Sequence, residues 1–124
     1  AEITAIFNSF GKSEIVPEHL MDAVTAVSGS SPAYVYMMIE AMADAAVVEG
    51  MPRPQAYKFA AQAVLGSAQM VLETGKHPGE LKDMVCSPGG TTIAAVAKLE
   101  ETGFRSSIMQ SMKACADKSR EMSK

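Results

Sequence analysis

Cys86, Ser87, Thr91 and Thr92 set one thiol and three hydroxyls around Pro88, Gly89 and Gly90, in the run CSPGGTT. Proline stiffens the approach, and the glycine pair admits backbone geometries closed to other residues. If a helix starts immediately afterwards, its first N–H groups lack partners and its dipole adds positive potential there. A carboxylate or phosphate is the matching guest. Ser87, Thr91 and Thr92 can donate to such an anion or accept from an N–H. The plainer alternative is a glycine turn after which Thr91 or Thr92 simply caps the helix. Cys86 is the one thiol to watch, since a helix start can activate it; packing as a small residue is the alternative.

Other residues carry less. SGSSP at 28–32 repeats the ingredients of glycine, hydroxyls and a helix start, but reads as a helix–helix turn before an anion site. Glu40 and Asp44 project from one helical face, where paired carboxylates can bind metal or move protons, but no His stands at matching spacing and a solvated stripe explains them. His19 lies beside Glu18 and Asp22 as a surface residue, and His77 before Pro78 suits a linker or cap. No metal-ligand spacing is present.

The elements that must position these groups are helical. Residues 3–10 (ITAIFNSF) carry a short helical pattern and KSEIV a brief strand, so residues 1–16 read as the end of something larger. From Pro17 onward the punctuation predicts about six helices. The first has Pro17 at its start and a stripe of Leu20, Ala23, Val24 and Val27, broken at Ser28–Ser31. The second runs over 31–49 with Ser31 as cap, and the third over 54–74 closed by Gly75. A short helix over 78–85 follows His77, another runs over 92–102 closed by Gly103, and a last one leaves Arg105 with Ile108, Met109, Met112, Cys115 and Ala116 on one face. Helices 31–49 and 54–74 are apolar around most of their circumference. Covering both requires a second chain, most simply a two-fold dimer.

Composition narrows the class. With 124 residues, 48% hydrophobic and 20% charged, the chain supports a packed domain. Ten Met, four Phe, three Tyr and no Trp suit closely approaching helices rather than sheets. A net charge of −3, pI near 5.3 and scattered cations argue against nucleic acid. Cys86 and Cys115 form no C-x-x-C pair, which points to a reducing, cytoplasmic setting. No signal peptide is visible, and the most apolar run, 33–48, is interrupted by Glu40 and Asp44, so no membrane span is expected. The chain opens at Ala1 without Met, which reads as a processed or truncated start.

Two long stretches, SGSSPAYVYMMIEAMADAAVVEGMPR (28–53) and HPGELKDMVCSPGGTTIAAVAKLEETGFRS (77–106), closely resemble the C-terminal domain of pyrroline-5-carboxylate reductases. The likeness runs from Ile3 to about Ala114, with Ser31 where the family usually has Gly and small-residue changes at Cys86 and Thr91. It implies an all-α domain at 17–124 forming an interlaced dimer or a higher oligomer, and a helix–strand remnant of the nucleotide-binding domain at 1–16. It implies NAD(P)H-dependent reduction of 1-pyrroline-5-carboxylate to L-proline by the parent enzyme. The loop of Val85, Cys86, Ser87, Gly89, Gly90, Thr91 and Thr92 would hold the substrate carboxylate, with Thr92 near the ring nitrogen and the Ser28–Pro32 turn towards the domain junction. No G-x-G-x-x-G occurs in these residues, so NADP or NAD is expected to bind outside them and the isolated chain to be inactive. The rival expectation is a stand-alone helical oligomerisation module whose glycine loop is only a turn.

Overall fold

A computed structural model describes residues 4–9 and 12–123. The chain divides into two compact units, Ala1–Tyr34 with Arg105–Lys124, and Val35–Phe104.

The first unit opens with strands β1 (Thr4–Ser9) and β2 (Lys12–Pro17), antiparallel in a register that sets Ile6 opposite Ile15 and Ala5 opposite Val16. The short helix expected over 3–10 is therefore a strand wherever it is described. Thr4, Ile6 and Phe7 favour extended backbone, and a helix this short nucleates at a cost that a neighbouring strand of Ile15 and Val16 does not exact. Glu18–Leu20 forms a 3-10 turn, α1 spans Met21–Val24, and Thr25–Gly29 continues as a π turn. The expected break at Ser28–Ser31 is thus milder than the sequence implied. Ser30 N–H donates to Thr25 O at 2.9 Å, and the Ser31 hydroxyl donates back to Val27 O. Ser31 is the first residue of α2 (Ser31–Val48) rather than its cap, because its hydroxyl serves the preceding carbonyl.

Helix α6 (Phe104–Met122) turns Cys115 and Ser119 towards this composite first helix. Cys115 Sγ donates to Ser30 Oγ at 3.1 Å, Ser119 Oγ donates to Asp22 Oδ1 at 2.7 Å, and Arg120 lies 3.8 Å from Asp22. Partial burial, and then the neighbouring Cys115 thiol, holds the Tyr34 phenol above its ordinary pKa.

In the second unit α2 ends in a Schellman arrangement. Gly50, at φ 103°, donates to Val47 O at 2.9 Å, and Met51 N–H reaches back to Ala46 O at 3.0 Å. Helix α3 (Arg53–Thr74) starts after Pro52, and Arg53 ties the two helices across the turn by an ion pair to Asp44 at 2.8 Å. Helix α4 covers Pro78–Met84 and α5 covers Thr91–Thr102.

Within this unit α2 and α3 approach one another closely at only a few points. Ala43, Ala56 and Ala60 are the only buried residues described in this unit, and Ala26 is the only one in the first. Large apolar side chains stay open instead, among them Met37, Val48, Phe59 and Leu72, at 66, 83, 60 and 68% exposure. A helix pair whose core consists of alanines has left most of its apolar surface for something else to cover.

Candidate anion-binding site

The loop between α4 and α5 is built from two successive turns. The last turn of α4 holds its entrance, with Val85 N–H on Lys82 O at 3.2 Å and Cys86 N–H on Asp83 O at 3.1 Å. Ser87 O then accepts from Gly90 N–H at 3.0 Å, with Pro88 second in the turn and Gly89 third at φ +68°. This is the pattern of a type II turn, whose third position any residue with a Cβ occupies only under strain. Gly90 has an ordinary φ of −83°, but a Cβ there would come 3.3 Å from Ser87 O, so close approach also selects glycine at this position.

Helix α5 begins at Thr91, one residue earlier than the sequence implied, and its N-cap is Gly90 with no side-chain capping bond. The alternative in which Thr91 or Thr92 caps the helix is therefore not the one adopted. The N–H groups of Thr91, Thr92 and Ile93 belong to the first turn and have no acceptor within the helix. The hydroxyls of Ser87, Thr91 and Thr92 are exposed beside them. Val85, Cys86, Ser87, Gly89, Gly90, Thr91 and Thr92 are thus gathered on one short stretch, as the sequence grouped them. Its outer face is open: Val85 is exposed, while Cys86 and Gly90 are half-buried. Lys82 is the nearest cation in sequence and already pairs with Asp83 at 3.1 Å. Uncapped donors, a helix dipole and free hydroxyls can take an anion, and they offer neither a strong acid nor a nucleophile–base pair.

The remaining candidates resolve into structural roles. Asp44 is engaged with Arg53, whose guanidinium lies 5.8 Å from the Tyr57 ring centroid, rather than cooperating with Glu40. That pairing, first with Asp44 and then with Tyr57, raises the pKa of Arg53. No cluster of three metal-binding side chains occurs among the described residues. His19 is exposed on the 3-10 turn, and the Ser28–Pro32 run forms the π turn and the start of α2. His77 does cap: it precedes α4, and its Nδ1 accepts from Gly79 N–H at 2.9 Å.

Sequence reasoning missed an apolar groove of about 310 Å³ along α3 and α4, lined by Met70, Val71, Leu81, Met84 and Val85 among others. The signal was there in the apolar residues of α3 and α4, but their alignment depends on how the chain turns at Gly75.

Residues 18–122 match the family described as pyrroline-5-carboxylate reductase dimerisation. The pyrroline-5-carboxylate reductase of Escherichia coli is 64% identical over 124 residues, which is 100% of this chain and 46% of that protein. Its counterpart in Synechocystis is 55% identical over the same span, again 46% of its length. Among solved structures, the 1-pyrroline-5-carboxylate reductase of Streptococcus pyogenes superposes with a TM-score of 0.86 at 38% identity, covering 90% of this chain and 43% of that one. The pyrroline carboxylate reductase of Plasmodium falciparum, solved with NADP bound, gives 0.84 at 37% identity, covering 88% of this chain and 44% of that one. The chain spans a little under half the length of these relatives. It belongs to the pyrroline-5-carboxylate reductase dimerisation family.

Proposed function

We propose that this chain supplies the substrate-carboxylate seat and the dimer-forming helices of a pyrroline-5-carboxylate reductase, which reduces 1-pyrroline-5-carboxylate to L-proline. The observation that carries this reading is the start of α5, where Gly90 caps without a side chain and leaves the Thr91, Thr92 and Ile93 N–H groups available. In the reading, those groups and the hydroxyls of Ser87 and Thr91 grip the carboxylate and fix the face of the ring. Thr92 hydrogen-bonds the ring nitrogen as it becomes an amine. Orientation of this kind is worth several kcal/mol of a barrier, on the order of what effective-molarity arguments give. An iminium substrate arrives already protonated, in keeping with a site that holds no strong acid.

The residues here do not fit a dinucleotide. The glycine turn follows α4 rather than a strand, and no G-x-G-x-x-G occurs. NADP or NAD, whose reduced form would supply the hydride, is accordingly assigned outside these residues. The family match begins at residue 18, beside the boundary proposed here between 1–16, the end of a nucleotide-binding domain, and 17–124. The open apolar faces of α2 and α3 support a homodimer. No helix among the described residues is long and apolar enough to cross a membrane, and we place the enzyme in the cytoplasm.

The test is a graft in which these residues replace the matched part of the Escherichia coli relative, followed by NADPH absorbance with the imine substrate. The graft should turn over, Thr92→Ala should lower kcat/KM by about 10- to 100-fold, as for a lost charged hydrogen bond, and the chain alone should be inactive. A graft that turns over and is indifferent to Thr92→Ala and Gly90→Val would show that the loop is only a turn.

A further inference from the structure

The residue that opens α4 is mechanically joined to the loop that leaves it. His77 holds three N–H groups of the first turn: its Nδ1 accepts from Gly79 at 2.9 Å, and its carbonyl accepts from Glu80 at 2.9 Å and from Leu81 at 3.1 Å. Helix α4 has seven residues, too few to hold itself together in water, so its ends decide whether it forms. Its far end makes the first two bonds of the loop, through Lys82 O and Asp83 O. We propose that His77 is a positioning residue of the anion site. By capping α4, its imidazole fixes where Val85, Cys86 and Ser87 stand beside the first turn of α5. The proposal rests on the reading of this loop as the carboxylate seat.

The other partner of the bond is equally particular. A Cβ on Gly79 would lie 3.0 Å from His77 Nδ1 and 3.2 Å from Cε1, so any side chain there makes the ring give by a few tenths of an ångström against its bond to the Gly79 N–H. The backbone of Gly79 is not in the left-handed region, and helix propensity alone would favour alanine at this position. The two explanations therefore differ in sign for one substitution.

The experiment is amide hydrogen exchange by NMR on the 124-residue chain, comparing His77→Ala, His77→Asn and Gly79→Ala. Cys86 and Gly90, whose N–H groups bond to Asp83 O in the last turn of α4 and to Ser87 O in the loop, are read against amides in the middle of α3. His77→Ala and Gly79→Ala should each speed Cys86 and Gly90 exchange about fivefold, the ratio that a lost cap corresponds to, and leave α3 unchanged. Asn, itself a strong capping residue, should restore the native rates. Loop rates unchanged in His77→Ala, or slowed in Gly79→Ala, overturn the proposal even if α4 itself exchanges faster. The reading it rests on fails separately, by turnover in the graft that survives Thr92→Ala.

Discussion

Gly89→Ala isolates what the left-handed turn is worth. At φ +68° an L-residue carries a penalty of roughly 1–2 kcal/mol. Nothing lies within 4 Å of a Cβ built there, so the penalty is conformational and no clash adds to it. The turn is held by one bond, Gly90 N–H to Ser87 O at 3.0 Å, with a net contribution of about 0.5–1.5 kcal/mol. Strain and bond are of similar size, and the loop is solvent-facing. The turn should therefore flip locally before the strain reaches α4 or α5. Were it transmitted to the whole domain, 1–2 kcal/mol would lower Tm by roughly 3–12 °C for a chain of this size.

The two outcomes separate cleanly in calorimetry and exchange. Gly89→Ala should leave Tm within about 1 °C, strip protection from the Gly90 amide, and raise KM in the grafted reductase by about 5- to 30-fold, the ratio equivalent of 1–2 kcal/mol, with kcat little altered. Gly89→Asn should sit between wild type and alanine, because Asn tolerates the left-handed region better than alanine does. A Tm lowered by several degrees with Gly90 still protected would refute local relaxation. Equal behaviour of Asn and Ala would refute the assignment of the effect to backbone strain.

Other outcomes follow from the same structure. Phe59→Asp or Leu72→Asp, each placing charge on an open apolar position, should dissociate the proposed homodimer in sedimentation equilibrium, whereas Glu73→Gln on the same helix should not. The Lys113 ammonium first, and then the Arg120 guanidinium, hold the Asp117 carboxyl below the usual carboxylate range. A depressed carboxylate contributes stability above its unfolded pKa and loses it as pH falls through the folded one. The α6 circular dichroism contribution of wild type should thus drop more than that of Asp117→Asn below pH about 4, and identical acid profiles would remove the role of these pairs. Arg53→Ala should leave thermal stability nearly unchanged, since both partners of its ion pair with Asp44 are about half exposed or more.

How far the fold was legible depends on which force sets each element. Gly75 and Gly103 were readable as helix ends because only a left-handed cap explains glycine there, and both adopt it at φ 66° and 88°. The Ser28–Ser31 run misled because serine can bond either way: it can unwind a helix as a cap or satisfy the carbonyl behind it. Ser31 takes the second course, towards Val27 O. Residues 4–9 misled for a different reason, since Ala5, Ile6 and Phe7 fit a helical stripe and a strand equally, and the deciding term is the pairing with Ile15 and Val16.

The anion site shows the same division more sharply. Pro88, Gly89 and Gly90 announce a turn, because backbone geometry is written in residue type. Whether the following N–H groups are free is not, for Thr91 and Thr92 are as good at capping as at gripping a ligand. What decides it is where the helix begins. With Gly90 as N-cap, the two threonines lie exposed inside the first turn, and no side chain caps the backbone they would otherwise seal. A shift of the helix start by one residue is thus the difference between a closed turn and an open seat. That start is held by the single bond between Gly90 and Ser87 O, and the loop's entrance depends on the seven-residue helix that His77 caps.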